Sequence, residues 1–333
     1  MSGAGVVHGP VVVVGAGRMG RGIAHVFAYA GRPVTVLDMK ARPEADFLQL
    51  AVAVSREIET GMRFLASVDV MSEGQVRHAM GLVNVRGADS AAEVLAGSGI
   101  IVECVPETRT AKTEALGRIG ALAPHDAPVL STTSTILVTE LQSLIAAPER
   151  FLNTHFLNPA YLIPLVEVSP GPDTEEVVTA RVMALLESVG KVPVRCAPTP
   201  GYIVPRLQAL IMSEACRMVA AGVATPAELD RAIMNGLGPR FAAMGVLEFV
   251  DWGGVDILYR AGNYLAKALD SPAHAPPPEV DRMICDGHTG MREGKGYYDY
   301  GGMDLAAYQQ TKLKRFVDLL RSIGQLGPPG VAD

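Results

Sequence analysis

Cysteine is scarce and scattered. Cys104, Cys196, Cys216 and Cys285 are the four in 333 residues, and no two share a C-x-x-C spacing. A metal site and a disulfide framework are therefore not expected, and a reducing cytoplasm fits best. Basic charge is also short: 29 Lys and Arg stand against 35 Asp and Glu, for a net charge of -6. That leaves no cationic stripe for a phosphate backbone and excludes nucleic acid as an expected partner. No uncharged run approaches the length of a bilayer span. The opening MSGAGVVHGP has neither the basic region nor the apolar core of a secretion signal. A soluble, cytoplasmic protein without membrane contact is the expectation. Internal repeats and a low-complexity tail are missing as well.

Hydrophobic residues make up 49% of the chain, which supplies core for two ordinary domains. From Val11 to about Arg195, short β-branched runs alternate with longer periodic stretches, the pattern of a parallel sheet flanked by helices. VVVV at 11–14, VTVL at 34–37, IIVE at 100–103, VL at 129–130 and VPVR at 192–195 read as buried strands. Thr110 to Leu122 and Glu175 to Val189 read as crossover helices. After PTPG at 198–201 the strand signals stop and helical periods begin, as in RLQALIMSEACRMVAAG. The expected fold is α/β: a Rossmann-type domain over 1–197, then an all-α domain over 198–333. SPAHAPPPE at 271–279 reads as a surface connection between helices.

Gly15, Gly17 and Gly20 form G-x-G-x-x-G directly after VVVV and open a helical stretch. In a dinucleotide site the first glycine makes a tight turn, the second lets backbone approach a pyrophosphate, and the third permits close helix–strand packing. The helix start then presents free N–H groups and a positive dipole end to the phosphates. Structural turns meet the same spacing, so context decides. Asp38 ends the second strand, 18 residues beyond Gly20, where a carboxylate can accept from a ribose 2′-hydroxyl and repel a 2′-phosphate. NAD is expected rather than NADP. No arginine follows Asp38 at once, and Lys40 reads as a solvated lysine.

A dehydrogenase needs a base beside the hydroxyl it oxidises. Among seven histidines, His155 closes an apparent strand, FLNTH, at the carboxyl edge of the sheet, where ligands of such folds bind. Glu167 follows twelve residues later in IPLVEV and can turn back to the imidazole. A carboxylate there would stabilise the imidazolium and fix which ring nitrogen faces a substrate. A buried structural histidine with an unrelated strand glutamate gives the same letters, and residue logic alone leaves both readings open.

GAGRMG, ECVPETRTAK, STTSTI, THFLNPAYLIPLVEV, PGYIVPRL and GKGYYDY, in this order, resemble the 3-hydroxyacyl-CoA dehydrogenase family over nearly the whole chain. The resemblance implies NAD as cofactor, no metal, and a homodimer built through the helical domain. It implies that His155 is the catalytic base, Glu167 its orienting partner, and Ser134 a hydroxyl beside the substrate oxygen and the cofactor. Glu107, Lys112 and Asn158 match cofactor-contacting positions, Arg18 and Met19 lie within the glycine fingerprint, and Arg292 stands where the family often has a lysine near the cofactor. Competing readings of these residues are a helix cap for Ser134, first-turn helix charges for Glu107 and Lys112, a turn former for Asn158, and a solvated side chain for Arg292.

Two departures bear on the substrate. Pro205 replaces an asparagine usual at the start of the second domain; a proline is comfortable in a first helical turn but has no amide to offer a substrate. Between Ala41 and Ala66, where acyl-CoA enzymes of the family carry a basic arm, Arg42, Arg56 and Arg63 are offset by Glu44, Asp46, Glu57 and Glu59. The expected activity is oxidation of the 3-hydroxyl of a 3-hydroxyacyl-CoA to the 3-oxoacyl-CoA, a step of fatty acid metabolism. The alternatives are a dehydrogenase of a free hydroxy acid, since ECVPE, NPAYLIPLVE and GLGPRFAAMG are similar to the L-gulonate dehydrogenase and lambda-crystallin branch, and a non-catalytic structural or binding protein.

Overall fold

A computed structural model describes residues 9–326; the opening stretch that includes His8 lies outside them. Among the described residues eight strands form one sheet: β1 Val11–Val14, β2 Val34–Leu37, β3 Val83–Arg86, β4 Ile100–Glu103, β5 Val129–Ser131, β6 Phe151–Phe156, β7 Leu165–Pro170 and β8 Val192–Arg195. Their order is β3-β2-β1-β4-β5-β6-β7-β8. The order runs outward on both sides of β1, as in a doubly wound sheet, and the reversal between β1 and β4 opens the crevice where nucleotides bind. The VVVV strand explains the layering. Val11 and Val13 belong to one apolar cluster and Val12 and Val14 to another, so alternate side chains feed cores on opposite faces.

Helices cover those faces: α1 Arg18–Tyr29, α2 Glu44–Ser67, α3 Glu73–Met80, α4 Ala91–Ala96, α5 Arg109–Leu122, α6 Val138–Leu141 and α7 Glu176–Ser188; α8, Val204–Ala220, follows the sheet and buries no residue. The expected crossover helices are α5 and α7. Ile23, Val26 and Phe27 of α1 are buried against Val54, Ile58 and Met62 of α2 in the same cluster, the i, i+3/i+4 spacing that puts one helical stripe on a core.

Two expectations need correction, and one strand went unread. β3 was not legible as a strand because VNVR is an edge strand, half buried on alternate residues, with no continuous apolar run. VPVR does form a strand, but not a buried one: Val192 is 54% exposed, and Pro193 is tolerated because β8 is hydrogen-bonded on one side only. Finally, the sheet is not wholly parallel, since β7 runs antiparallel to β6 before β8 returns parallel to β7.

The first compact unit extends to Ile211 and the second begins at Met212. The second is helical, with its main helices at Val246–Gly253, Val255–Ala268 and Leu305–Ser322. Val255, Val280 and Met283 form its small buried cluster. GKGYYDY is pinned here by Asp251, a buried carboxylate that accepts from the N–H groups of Tyr297 and Tyr298, both at 2.9 Å, and from the Tyr300 hydroxyl at 3.1 Å. Pro272–His274 and the following prolines link two helices, as the sequence implied. No helix of the described residues is long and apolar enough to cross a membrane.

Candidate active site

The glycine fingerprint folds as its spacing demands. Gly15 has φ +116°, and a Cβ there would lie 2.6 Å from the Cys104 carbonyl oxygen. A Cβ on Gly20 would stand 1.9 Å from the carbonyl oxygen of Gly15. Gly17, by contrast, has nothing within 4 Å of its absent side chain, and no side chain caps the start of α1. Free N–H groups, a dipole end and open space therefore coincide where a pyrophosphate would sit. Arg18 is exposed at that helix start, while Met19 packs partly into the core.

Asp38 follows β2 directly and is 7% exposed. It has a cation that the sequence did not reveal: Arg42 Nε lies 2.5 Å from Asp38 Oδ2. Lys40 is therefore not the nearby charge that matters. The intervening loop folds back and brings a residue four positions later onto the carboxylate. Arg118 fastens the loop from α5 by donating to the Met39 carbonyl at 3.2 Å.

Behind the cofactor cradle lies a buried ionic network. Glu103, the last residue of β4, accepts from Lys112 Nζ at 2.9 and 3.0 Å, from Ser131 Oγ at 2.8 Å and from the Val105 N–H at 2.7 Å. Lys112 is completely buried and also lies 3.6 Å from Glu107 Oε2. Its ammonium is thus shared by two carboxylates. Glu107 Oε1 in turn accepts from the Thr133 hydroxyl and from the N–H groups of Ser134 and Thr135, both at 3.1 Å. Burial alone would raise the Glu107 carboxyl; the Thr133 hydrogen bond, the Lys112 charge and the loop amides outweigh it and hold it below the ordinary carboxylate value. In this arrangement Glu107 shapes the loop that carries Ser134.

His155 and Glu167 occupy facing positions of β6 and β7. His155 Nδ1 lies 2.7 Å from Glu167 Oε2, and His155 Nε2 lies 3.1 Å from Ser134 Oγ. The second Glu167 oxygen accepts from the N–H groups of Ile203 at 2.9 Å and Val204 at 2.7 Å, at the start of α8. A fully buried carboxylate thus has three donors and a helix dipole to stabilise its charge. With Nδ1–H donating to Glu167, Nε2 keeps a lone pair toward the serine hydroxyl, the tautomer a general base needs. Asn158 lines a cavity of about 260 Å³ together with Arg18, Arg21, His25 and Tyr161. Arg292 lies in the second unit, largely exposed and 2.8 Å from Glu293, so it is not among the residues the first unit brings together. Pro205 is in the first turn of α8.

Sequence reasoning missed Arg42, Glu103 and Tyr202. Glu103 carried one signal, a carboxylate closing an otherwise apolar buried strand. Tyr202 carried none, because its role depends on the chain reversing at Gly201 and Tyr202, which have φ +77° and +45°.

The cradle fits NAD: open glycine face, uncapped helix start and strand-end carboxylate stand in the order a dinucleotide requires, with the His155–Glu167 pair on the same sheet. These features describe an NAD-dependent dehydrogenase. Residues 10–199 match the 3-hydroxyacyl-CoA dehydrogenase NAD binding domain, and residues 201–300 match the C-terminal domain of the same family. The chain belongs to the 3-hydroxyacyl-CoA dehydrogenase family and is an NAD-dependent oxidoreductase, which sets aside the non-catalytic alternative. Its relatives include the 3-hydroxybutyryl-CoA dehydrogenase of Mycobacterium tuberculosis, 32% identical over 292 residues that cover 87% of this chain and 98% of the relative. A lambda-crystallin homolog of Bos taurus is 32% identical over 241 residues, 72% of this chain and 73% of the relative. The structure of a 3-hydroxyacyl-CoA dehydrogenase from Archaeoglobus fulgidus superposes with a TM-score of 0.74 at 29% identity, covering 96% of this chain and 100% of that one.

Proposed function

We infer that this chain oxidises the 3-hydroxyl of a 3-hydroxyacyl-CoA to the 3-oxoacyl-CoA, with Ser134, His155 and Glu167 as the reacting constellation. The observation that carries the reading is the continuous chain from Ser134 Oγ through the imidazole to Glu167 Oε2, at 3.1 and 2.7 Å. His155 Nε2 receives the hydroxyl proton, Ser134 holds the substrate oxygen, and Glu167 stabilises the imidazolium that forms. When bound, NAD supplies the acceptor for the hydride removed from C3. Gly15, Gly17, Gly20 and Asp38 would hold it, with Arg18, Met19 and Asn158 along its path. Glu107 and Lys112 act through the Ser134 loop in this account.

A homodimer is the matching assembly. Leu207, Leu210, Ile211 and Met212 of α8 leave an apolar strip 45–56% exposed, which a second copy would cover.

A specific observation favours a second reading, oxidation of a free hydroxy acid. Most arginines on and beside α2 are already engaged: Arg42 by Asp38, Arg63 by Glu59 and Glu73, and Arg21 by Glu57, while Arg56 has no ion-pair partner among the described residues. Few uncompensated cations remain for CoA phosphates. NADH formation from a panel of 3-hydroxyacyl-CoA thioesters and free hydroxy acids, L-gulonate included, separates the two. Turnover of thioesters supports the first, and turnover of free acids alone replaces it with the second.

A further inference from the structure

We propose that Tyr202 is a positioning residue that holds Ser134, His155 and Glu167 as one unit; the inference rests on the reading of those three as the reacting constellation. Tyr202 meets all three in different ways. Its ring stacks on the His155 imidazole, with centroids 5.5 Å apart and planes 26° apart. The N–H groups of the next two residues, Ile203 and Val204, are the ones Glu167 Oε1 accepts. Its hydroxyl is buried toward the side chain of Asn153, whose Nδ2 donates to the Thr133 carbonyl at 3.3 Å, one residue before Ser134. Tyr202 Oη and Asn153 Oδ1 are both enclosed, and neither has a hydrogen-bond partner among the described residues.

The backbone shows that this placement is imposed rather than relaxed. Tyr202 has φ +45°, a left-handed conformation that a residue with a Cβ adopts at a cost, and it is only 4% exposed. A glycine or asparagine would suit that backbone better, but neither could cover the imidazole. The Glu167 hydrogen bond anchors the Nδ1 edge of the His155 ring and leaves tilting of the ring plane about that anchor as the soft motion. A flat aromatic face against the imidazole removes that motion, and with it the chance that Nε2 swings away from the substrate hydroxyl. Near-attack geometry is sensitive to such displacement, with about 1 Å of misplacement costing on the order of 100-fold in rate.

The test compares Tyr202→Leu and Tyr202→Phe with the unaltered protein and with His155→Ala, on the substrate that the panel identifies. Tyr202→Leu, folded by circular dichroism and binding NAD normally, is expected to lose about 10- to 100-fold in kcat with KM within about twofold. Tyr202→Phe keeps the stacking face and should recover most of that loss, leaving a deficit of about 3- to 10-fold from the missing hydroxyl. In a Ser134→Ala background the Phe deficit should vanish, because the hydroxyl acts through the Ser134 loop. A folded Tyr202→Leu with unchanged kcat overturns the proposal, as does one in which KM alone rises. If Tyr202→Leu does not fold, the cycle decides: a Phe deficit of the same size with and without Ser134 overturns it, and a deficit confined to the Ser134 protein supports it. An inactive His155→Ala beside a fully active Tyr202→Leu refutes the role of Tyr202 alone. An active His155→Ala refutes the underlying constellation instead.

Discussion

His155 and Glu167 lie directly opposite each other on antiparallel strands β6 and β7, with Nδ1 and Oε2 2.7 Å apart. Twelve residues of sequence separation become one cross-strand pair because β6 and β7 form a hairpin inside a sheet whose other neighbours are parallel. A parallel connection would have placed the two residues far apart. The antiparallel pair is therefore the feature on which the proposed chemistry turns.

Glu167→Gln tests that pair without changing its shape. The amide no longer offsets a positive charge on the imidazole, and its NH2 must stand where one of two accepting oxygens stood, so kcat should fall by about 10- to 100-fold while NAD affinity is unchanged. Initial rates at saturating NAD and direct NAD titration would measure this. A Gln variant with the rate of the unaltered protein would show that the carboxylate charge is idle.

Cofactor choice should be set by Asp38 and Arg42 together. Asp38 is paired with Arg42, and in this account it stands where a 2′-phosphate would sit, so the unaltered protein should prefer NAD strongly. Asp38→Ala removes the repulsion and frees the guanidinium, and the ratio of kcat/KM for NAD over NADP should narrow by at least about tenfold. Adding Arg42→Ala should abolish the gain on NADP. Equal use of both cofactors by the unaltered protein would contradict the assignment.

The nucleotide cradle was legible because it is local. Gly15, Gly17, Gly20 and the strand before them are contiguous, and the steric demands at Gly15 and Gly20 are those the spacing implies. His155 stood out by its position at a strand end, but its three-way contact with Ser134 and Tyr202 depends on loops that converge only in the folded sheet. Arg42 escaped because its pairing with Asp38 is a property of a loop turn rather than of adjacency. β3 escaped because an edge strand needs no continuous apolar run. Lys112 and Glu107 were identified as site residues from the family pattern, yet their visible contacts are with Glu103 and the 133–136 loop, which no spacing rule predicts.

His25 should make stability depend on pH. It is buried against Tyr161, stacked at 4.4 Å, and burial, reinforced by the Lys191 charge, pushes its pKa from 6.5 down to about 4. Between those values the unfolded chain binds a proton that the folded chain refuses, so stability rises with pH across the window and is lost on acidification from pH 6.5 toward about 4. The full effect is on the order of 3 kcal/mol. Urea unfolding at several pH values should show the slope, and His25→Gln should flatten it by that contribution. Parallel slopes in the two proteins would place His25 in water.

Pro205 should tune the substrate range. It offers no amide to a substrate carbonyl, and the absence of one such hydrogen bond costs about 1 to 3 kcal/mol. Weak turnover of acetoacetyl-CoA, better turnover of a bulkier or more polar 3-hydroxyacyl group, and a gain on acetoacetyl-CoA for Pro205→Asn are expected. Steady-state kinetics of both proteins on these substrates would decide. No gain from the asparagine on any thioester would remove Pro205 as a determinant.

The central claim is that His155 takes the 3-hydroxyl proton of a 3-hydroxyacyl-CoA while NAD is reduced, and one measurement addresses it most directly. The initial rate of NADH formation from 3-hydroxybutyryl-CoA and longer 3-hydroxyacyl-CoA thioesters is compared for the unaltered protein and His155→Ala, with NAD binding measured on both. The account predicts turnover by the unaltered protein, a loss of about 10²- to 10⁴-fold in the variant, and equal NAD affinity. Near-equal rates in the two proteins, or no thioester turnover where free hydroxy acids are oxidised, would contradict it.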